Sequence, residues 1–172
     1  MNDRMNRILL FFLLLCACFA GCKKTNDVPA QIRAQQAVDE KIISAYLKSN
    51  SITATVVDSA GVSTGIYYVI DTPGTGNDLY TSSTQITVGY KATLLTTGKE
   101  IVSTDEYHPS YILGQTLRGW QLGIPGSKVK KGGTVTLYLP SHYAYGPFAQ
   151  SILGLPANAI LIFNITVYNI TN

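Results

Sequence analysis

Cysteine occurs only at positions 16, 18 and 22 of this 172-residue chain, and histidine only at 108 and 142. Past residue 22 there is no thiol for a disulfide framework, an iron–sulfur site or a nucleophile. Two histidines without ligand spacing do not make a zinc site. Neither histidine has a triad context, so nucleophilic catalysis by a serine elbow is not expected. Charge is scarce too, with 13% of residues Asp, Glu, Lys or Arg, about half the usual fraction. The net charge is only +3, and the basic residues cluster no further than two adjacent lysine pairs. Nucleic acid is therefore not the expected partner. Gly74-Thr75-Gly76 lacks a following helix and a Lys-Ser/Thr pair, which excludes a phosphate loop. No cofactor and no metal are expected. What the chain does have is aromatic: eleven tyrosines, five phenylalanines and a single tryptophan.

The N-terminus has the order of an export signal. Arg4 and Arg7 precede an apolar run over residues 8–20, too short for a comfortable membrane span but suited to a signal core. The run ends Cys18-Phe19-Ala20-Gly21-Cys22, which resembles a bacterial lipobox. That resemblance implies cleavage after Gly21 and acylation of Cys22, and more than one acyl chain gives stable anchoring. The expected location is the bacterial cell envelope, lipid-anchored and facing the periplasm or the cell surface. Cys16 and Cys18 leave with the signal, so the mature chain carries no free thiol, as suits an oxidising compartment.

The remainder divides at about residue 52. Residues 29–47 read as a helix, with Asp27 as a cap, Pro29 just inside, and Ile32, Ala37, Ile42, Ile43, Ala45, Tyr46 and Leu47 as an imperfect apolar stripe. It is expected to pack on its own domain or to act as a spacer. After residue 52 the period becomes two. Ile66, Tyr68 and Ile70 share one face. So do Ile86, Val88, Tyr90, Ala92 and Leu94; Val135, Leu137 and Leu139; and Leu161, Phe163, Ile165 and Val167. Residues 72–78 are a dense turn, Thr97-Gly98 a hairpin, and residues 101–104 the return strand. A short helix is expected over residues 117–123, followed by turns to residue 133. The predicted fold class is α+β: an antiparallel sheet of five to six strands curved around one short helix, with an N-terminal helix and a signal ahead of it. The predicted domains are 1–21 (signal), 22–51 (tether and helix) and 52–172.

Several segments, weak singly, occur together in order. They are Gly65-Ile66-Tyr67-Tyr68-Val69-Ile70, Gly74-Thr75-Gly76, Val88-Gly89-Tyr90, Thr97-Gly98-Lys99, Ile112-Leu113-Gly114, Leu117-Arg118-Gly119-Trp120, Lys131-Gly132-Gly133, Leu139-Pro140-Ser141-His142-Tyr143-Ala144-Tyr145-Gly146, and Leu155-Pro156-Ala157-Asn158-Ala159 with the strand after it. Over residues 65–170 the chain resembles an FKBP-type peptidyl-prolyl cis-trans isomerase.

The resemblance implies a proline pocket with Trp120 as its floor and Tyr90 and Phe163 as walls. Leu117 supplies an apolar wall and a backbone N–H, and Tyr145 a hydroxyl, for substrate carbonyls. Ile101, Val102 and Leu155 complete the substrate side. The implied partners are proline-containing unfolded or extended peptides, the membrane through acylated Cys22, and macrolide inhibitors. The sequence departs from the family at Val102, where an acidic residue is usual; Tyr90 is then expected to bond to water, backbone or Asp105. A rival reading is a non-catalytic lipoprotein that uses the same groove as a holdase or assembly factor. A third is a surface lipoprotein that binds glycans on exposed tyrosines.

Overall fold

Alternating strands with one buried face must pack that face against something, and here the sheet is covered on both sides. The computed structural model describes residues 28–77 and 79–172. The apolar run, Cys22 and the Asp27 cap lie outside those residues. Residues 31–172 form one compact unit.

Helix α1 (Val28–Ser49) is followed by seven strands: β1 (Thr55–Ser59), β2 (Val62–Thr72), β3 (Gln85–Leu94), β4 (Glu100–Ser103), β5 (Ser110–Ile112), β6 (Thr134–Leu139) and β7 (Leu161–Thr171). Helix α2 (Arg118–Ser127) lies between β5 and β6. The sheet order is β1-β2-β6-β7-β3-β4, with β5 also paired to β3, and every pairing is antiparallel. The α+β plan is as expected, with one or two strands more. Strand β1 buries one residue, Val57, and β5 has three residues, both too short for alternation to show.

One face of the sheet carries the main core, built from Ile66, Ile86, Val88, Leu137, Leu139, Phe163 and Ile165 with Trp120 and Ile124 of α2. On the other face, Ile43 and Leu47 of α1 pack with Leu95, Tyr138 and Ile160. Helix α1 thus packs on its own domain. Its buried stripe is narrower than expected, however: Ile32 and Ile42 are exposed, as are Ala37 and Ala45. The stripe that faces the sheet includes Asp39, which is fully buried. A polar residue in this register shifts the face away from the one that hydrophobicity alone selects.

Helix α2 runs four residues beyond its expected end, through Gly123, Pro125 and Gly126, and stops at Lys128 in the left-handed conformation (φ 56°). These residues look like turn formers in sequence. Pro125 removes only one hydrogen bond near the last turn, while Ile124 beside it is fully buried. The glycines serve close approach. A Cβ on Gly119 would lie 2.5 Å from Leu139 Cδ1 and 3.0 Å from the Tyr143 carbonyl oxygen. On Gly123 it would lie 2.8 Å from Leu137 Cδ1, and on Gly126 2.6 Å from Val57 Cγ1. These three positions fall on one helical face.

Gly119→Ala should therefore destabilise the domain. Alanine adds about 1 kcal/mol of helix propensity, but forcing a methyl into this contact costs about 1–3 kcal/mol, and a backbone oxygen cannot swing aside. Thermal unfolding should show a lower midpoint; an unchanged or raised one contradicts the packing described.

Candidate active site

Helix α2 sets its glycine face on β6 and β1, which turns Trp120 toward β7 and β3. Trp120 is almost fully buried. Its ring meets Tyr90 (centroids 5.0 Å, 87°) and Phe163 (5.4 Å, 87°) edge to face, the geometry that aromatic quadrupoles favour. Tyr111 stands 6.2 Å from the same ring, also near perpendicular.

Together these rings bound a cavity of about 290 Å³, lined further by Ala92, Ile101, Val102, Gln115, Thr116, Leu117, Tyr145, Leu153 and Leu161. Among the described residues no carboxylate and no cation lines it. Of the expected site residues, Tyr90, Leu117, Trp120, Tyr145, Phe163, Ile101 and Val102 are brought together here. Leu155 is not: it is buried in the main core, where its N–H and carbonyl both pair with Gln150. Leu153, two residues earlier, takes the lining position. Cys22 lies outside the described residues.

The pairing of β3 with β4 explains why Ile101 and Val102 both reach the cavity. Ala92 pairs with Val102 and Thr93 with Glu100, so Ile101 is the extra residue of a bulge. A bulge of this kind re-aims side chains at a sheet edge. Val102 therefore occupies the position on the lining, and Asp105 does not replace it. Asp105 instead accepts a hydrogen bond from Ser103 Oγ (2.7 Å) on the surface, in a left-handed turn (φ 42°).

Among the described residues the Tyr90 hydroxyl bonds to neither backbone nor Asp105. It lies 3.4 Å from the Tyr111 hydroxyl. Burial, then the bond and the charge of Tyr111, then Tyr145, push Tyr90 up from 10.0 to about 12. A phenol that is buried and shares a hydrogen bond with another phenol resists ionisation. The cavity presents tyrosine hydroxyls and, among the described residues, no carboxylate. Two residues of its lining carry further donors. The Leu117 amide precedes the first turn of α2 and donates to no atom among the described residues, and the Tyr145 hydroxyl likewise has no partner there. The indole N–H of Trp120 is buried without a partner among the described residues.

Ala92, Tyr111, Gln115, Thr116, Leu153 and Leu161 of the lining were not among the expected site residues. Tyr111 was not legible, because Tyr111, Ile112 and Leu113 are all apolar in sequence and only the fold exposes Ile112 while burying Leu113. Contrary to the expectation that no Gly-x-Ser-x-Gly occurs, Gly61-Val62-Ser63-Thr64-Gly65 has the letters of a nucleophile elbow. This segment enters β2 from a hairpin, without the strand-to-helix turn that exposes such a serine. The Ser63 hydroxyl accepts a weak bond from its neighbour Gly65 N–H (3.4 Å).

The FKBP-type peptidyl-prolyl cis-trans isomerase family model matches residues 76–168. The chain belongs to this family. A relative named FkpA from Buchnera aphidicola subsp. Schizaphis graminum is 35% identical over 118 residues, covering 64% of this chain and 42% of the relative. FK506-binding protein 1 of Candida glabrata is 34% identical over 102 residues, covering 57% of this chain and 86% of that protein. The crystal structure of FkpA from Escherichia coli superposes with a TM-score of 0.62 at 24% identity, covering 99% of this chain and 74% of that one. The chain spans less than half the length of the FkpA relatives from Buchnera that it matches.

The hydroxyl pair makes a direct prediction. Tyr111→Phe removes the bond and one charge that raise Tyr90 but leaves burial, the largest cause. Tyr90 should then titrate below about 12 and still above 10.0. Ring-labelled NMR across the alkaline range checks this, and an unmoved Tyr90 midpoint contradicts the pairing.

Proposed function

We propose that this protein is a peptidyl-prolyl cis-trans isomerase acting on proline-containing unfolded or extended peptides in the cell envelope, with residues 52–172 as its isomerase domain. The observation that carries the reading is the largely apolar aromatic cavity of Tyr90, Trp120 and Phe163, lined also by Leu117 and Tyr145, whose amide and hydroxyl are unpaired among the described residues.

The chemistry matches that inventory. An X-Pro bond isomerises in tens to hundreds of seconds unaided, slow enough to limit folding. The barrier is the loss of amide resonance, and water stabilises the charge-separated planar form. A proline ring seated on Trp120, out of water, loses that stabilisation. Carbonyls fixed by Leu117 N–H and Tyr145 O–H hold the chain on either side while the bond turns. No covalent intermediate is required, and every group stays in the protonation state it has at neutral pH. Macrolides fit the same cavity on this reading. Lipidation at Cys22 holds the protein at the membrane. That placement rests on the lipobox-like segment.

Val102 sets the expected strength. A charged hydrogen bond contributes about 1.5–3 kcal/mol, so its loss lowers the rate roughly ten- to a hundredfold. In a protease-coupled assay the full chain should accelerate prolyl isomerisation, and Val102→Asp should accelerate it further. Binding of prolyl peptide without acceleration, in both proteins, would support the holdase reading instead. For the anchor, Cys22→Ser should leave the precursor uncleaved and unlabelled by fatty acid; normal acyl labelling of that variant removes the argument.

A further inference from the structure

Asp39 is a carboxylate with no exposed surface, on a helix outside the segment that matches the family. Three donors converge on it. Ser141 N–H and Ser141 Oγ donate to Oδ2 at 2.8 and 2.6 Å, and Gln35 Nε2 donates to Oδ1 at 2.7 Å. Buried charge at this density of bonds is held in one geometry, because removing either side leaves polar groups stranded away from water.

The position of Ser141 matters. It lies just past the end of β6 and begins the 3-10 turn Ser141–Tyr143, and it is itself fully buried. Its carbonyl accepts hydrogen bonds from the amides of Ala144 (2.9 Å) and Gly146 (2.8 Å), the two residues that flank Tyr145. The Gly146 carbonyl in turn accepts from Asn158 N–H (2.9 Å), which ties the turn to the next loop. Tyr145 is thus suspended between two amides bonded to one carbonyl, and the residue that owns this carbonyl is gripped by Asp39. On the helix side, Ile43 and Leu47 are buried against the sheet, so Asp39 sits on a fixed support.

We infer that Asp39 is a positioning residue: by clamping Ser141 it holds the turn that carries the Tyr145 hydroxyl on the cavity, so that the N-terminal helix governs turnover at a site it does not touch. The catalytic part rests on the isomerase reading; the clamp itself does not. Neither Asp39 nor Ser141 lines the cavity. The effect passes through geometry alone.

The test uses the full chain with Asp39→Ala, Asp39→Asn and Ser141→Ala, read by amide hydrogen exchange and by kcat/KM for a prolyl peptide. Asp39→Ala should speed exchange at Ala144 and Gly146 about tenfold or more, leave β3 and β7 amides unchanged, and lower kcat/KM about tenfold. Ser141→Ala keeps the backbone bond and should show the same pattern more weakly. Asp39→Asn keeps the shape and one acceptor, and should fall between Asp39→Ala and the parent. If Asp39→Ala does not fold, the Ser141→Ala pattern decides alone. Exchange at Ala144 and Gly146 no different from the parent overturns the clamp. A uniform acceleration over the whole sheet also overturns it, because that marks a merely structural residue. A parent chain that does not accelerate isomerisation refutes the isomerase reading, and the exchange pattern still decides whether the turn is positioned by Asp39.

Discussion

The closeness of α2 to the sheet is the constraint on which the site depends. Gly119, Gly123 and Gly126 remove side chains from one helical face, so the helix backbone rests on Leu139, Leu137 and Val57. Trp120, one position round from Gly119, is then lowered into the sheet between Tyr90 and Phe163. A helix held farther off by methyl groups would leave the indole above those rings instead of among them. Packing forces of this kind are individually small, but an interior this dense tolerates little displacement. The floor of the cavity and the stability of the domain are therefore one property.

Given that floor, the chemistry of the site is that of an apolar hollow with a few neutral donors. Val102 lies on the lining and offers no acceptor, and Tyr111 is the partner of the Tyr90 hydroxyl. Burial and this bond keep Tyr90 protonated far above physiological pH. An apolar cavity with no charged lining group among the described residues suits a reaction whose barrier is loss of resonance and in which no proton moves. The turn bearing Tyr145 is fixed from the opposite side of the sheet by Ser141 and Asp39, so the two faces of the fold meet at one loop.

Much of this was legible in the sequence where a strand is long and one-sided. Ile86, Val88, Tyr90, Ala92 and Leu94 alternate cleanly because β3 is central and carries the cavity on the same face as the core. Leu117-Arg118-Gly119-Trp120 marked the start of α2. Its end was illegible because glycine and proline signal turns locally, whereas here they answer to Leu137 and Val57, distant in sequence. Leu155 and Leu153 were exchanged because the loop pairs Gln150 with Leu155 and so turns Leu155 inward, a register that no local pattern encodes. The Asp39 clamp joins residues 102 positions apart, and a lone acidic residue on a helix reads as a solvated face. The bulge that admits both Ile101 and Val102 to the cavity depends likewise on pairing with β3.

The central claim is that proline is bound on Trp120 and isomerised there. The most direct measurement follows cis–trans exchange of a short prolyl peptide by NMR with the parent chain and with Trp120→Leu, whose fold is checked by its methyl spectrum. The account predicts accelerated exchange with the parent and little or none with folded Trp120→Leu. Equal acceleration by both proteins, or none by the parent, would contradict it.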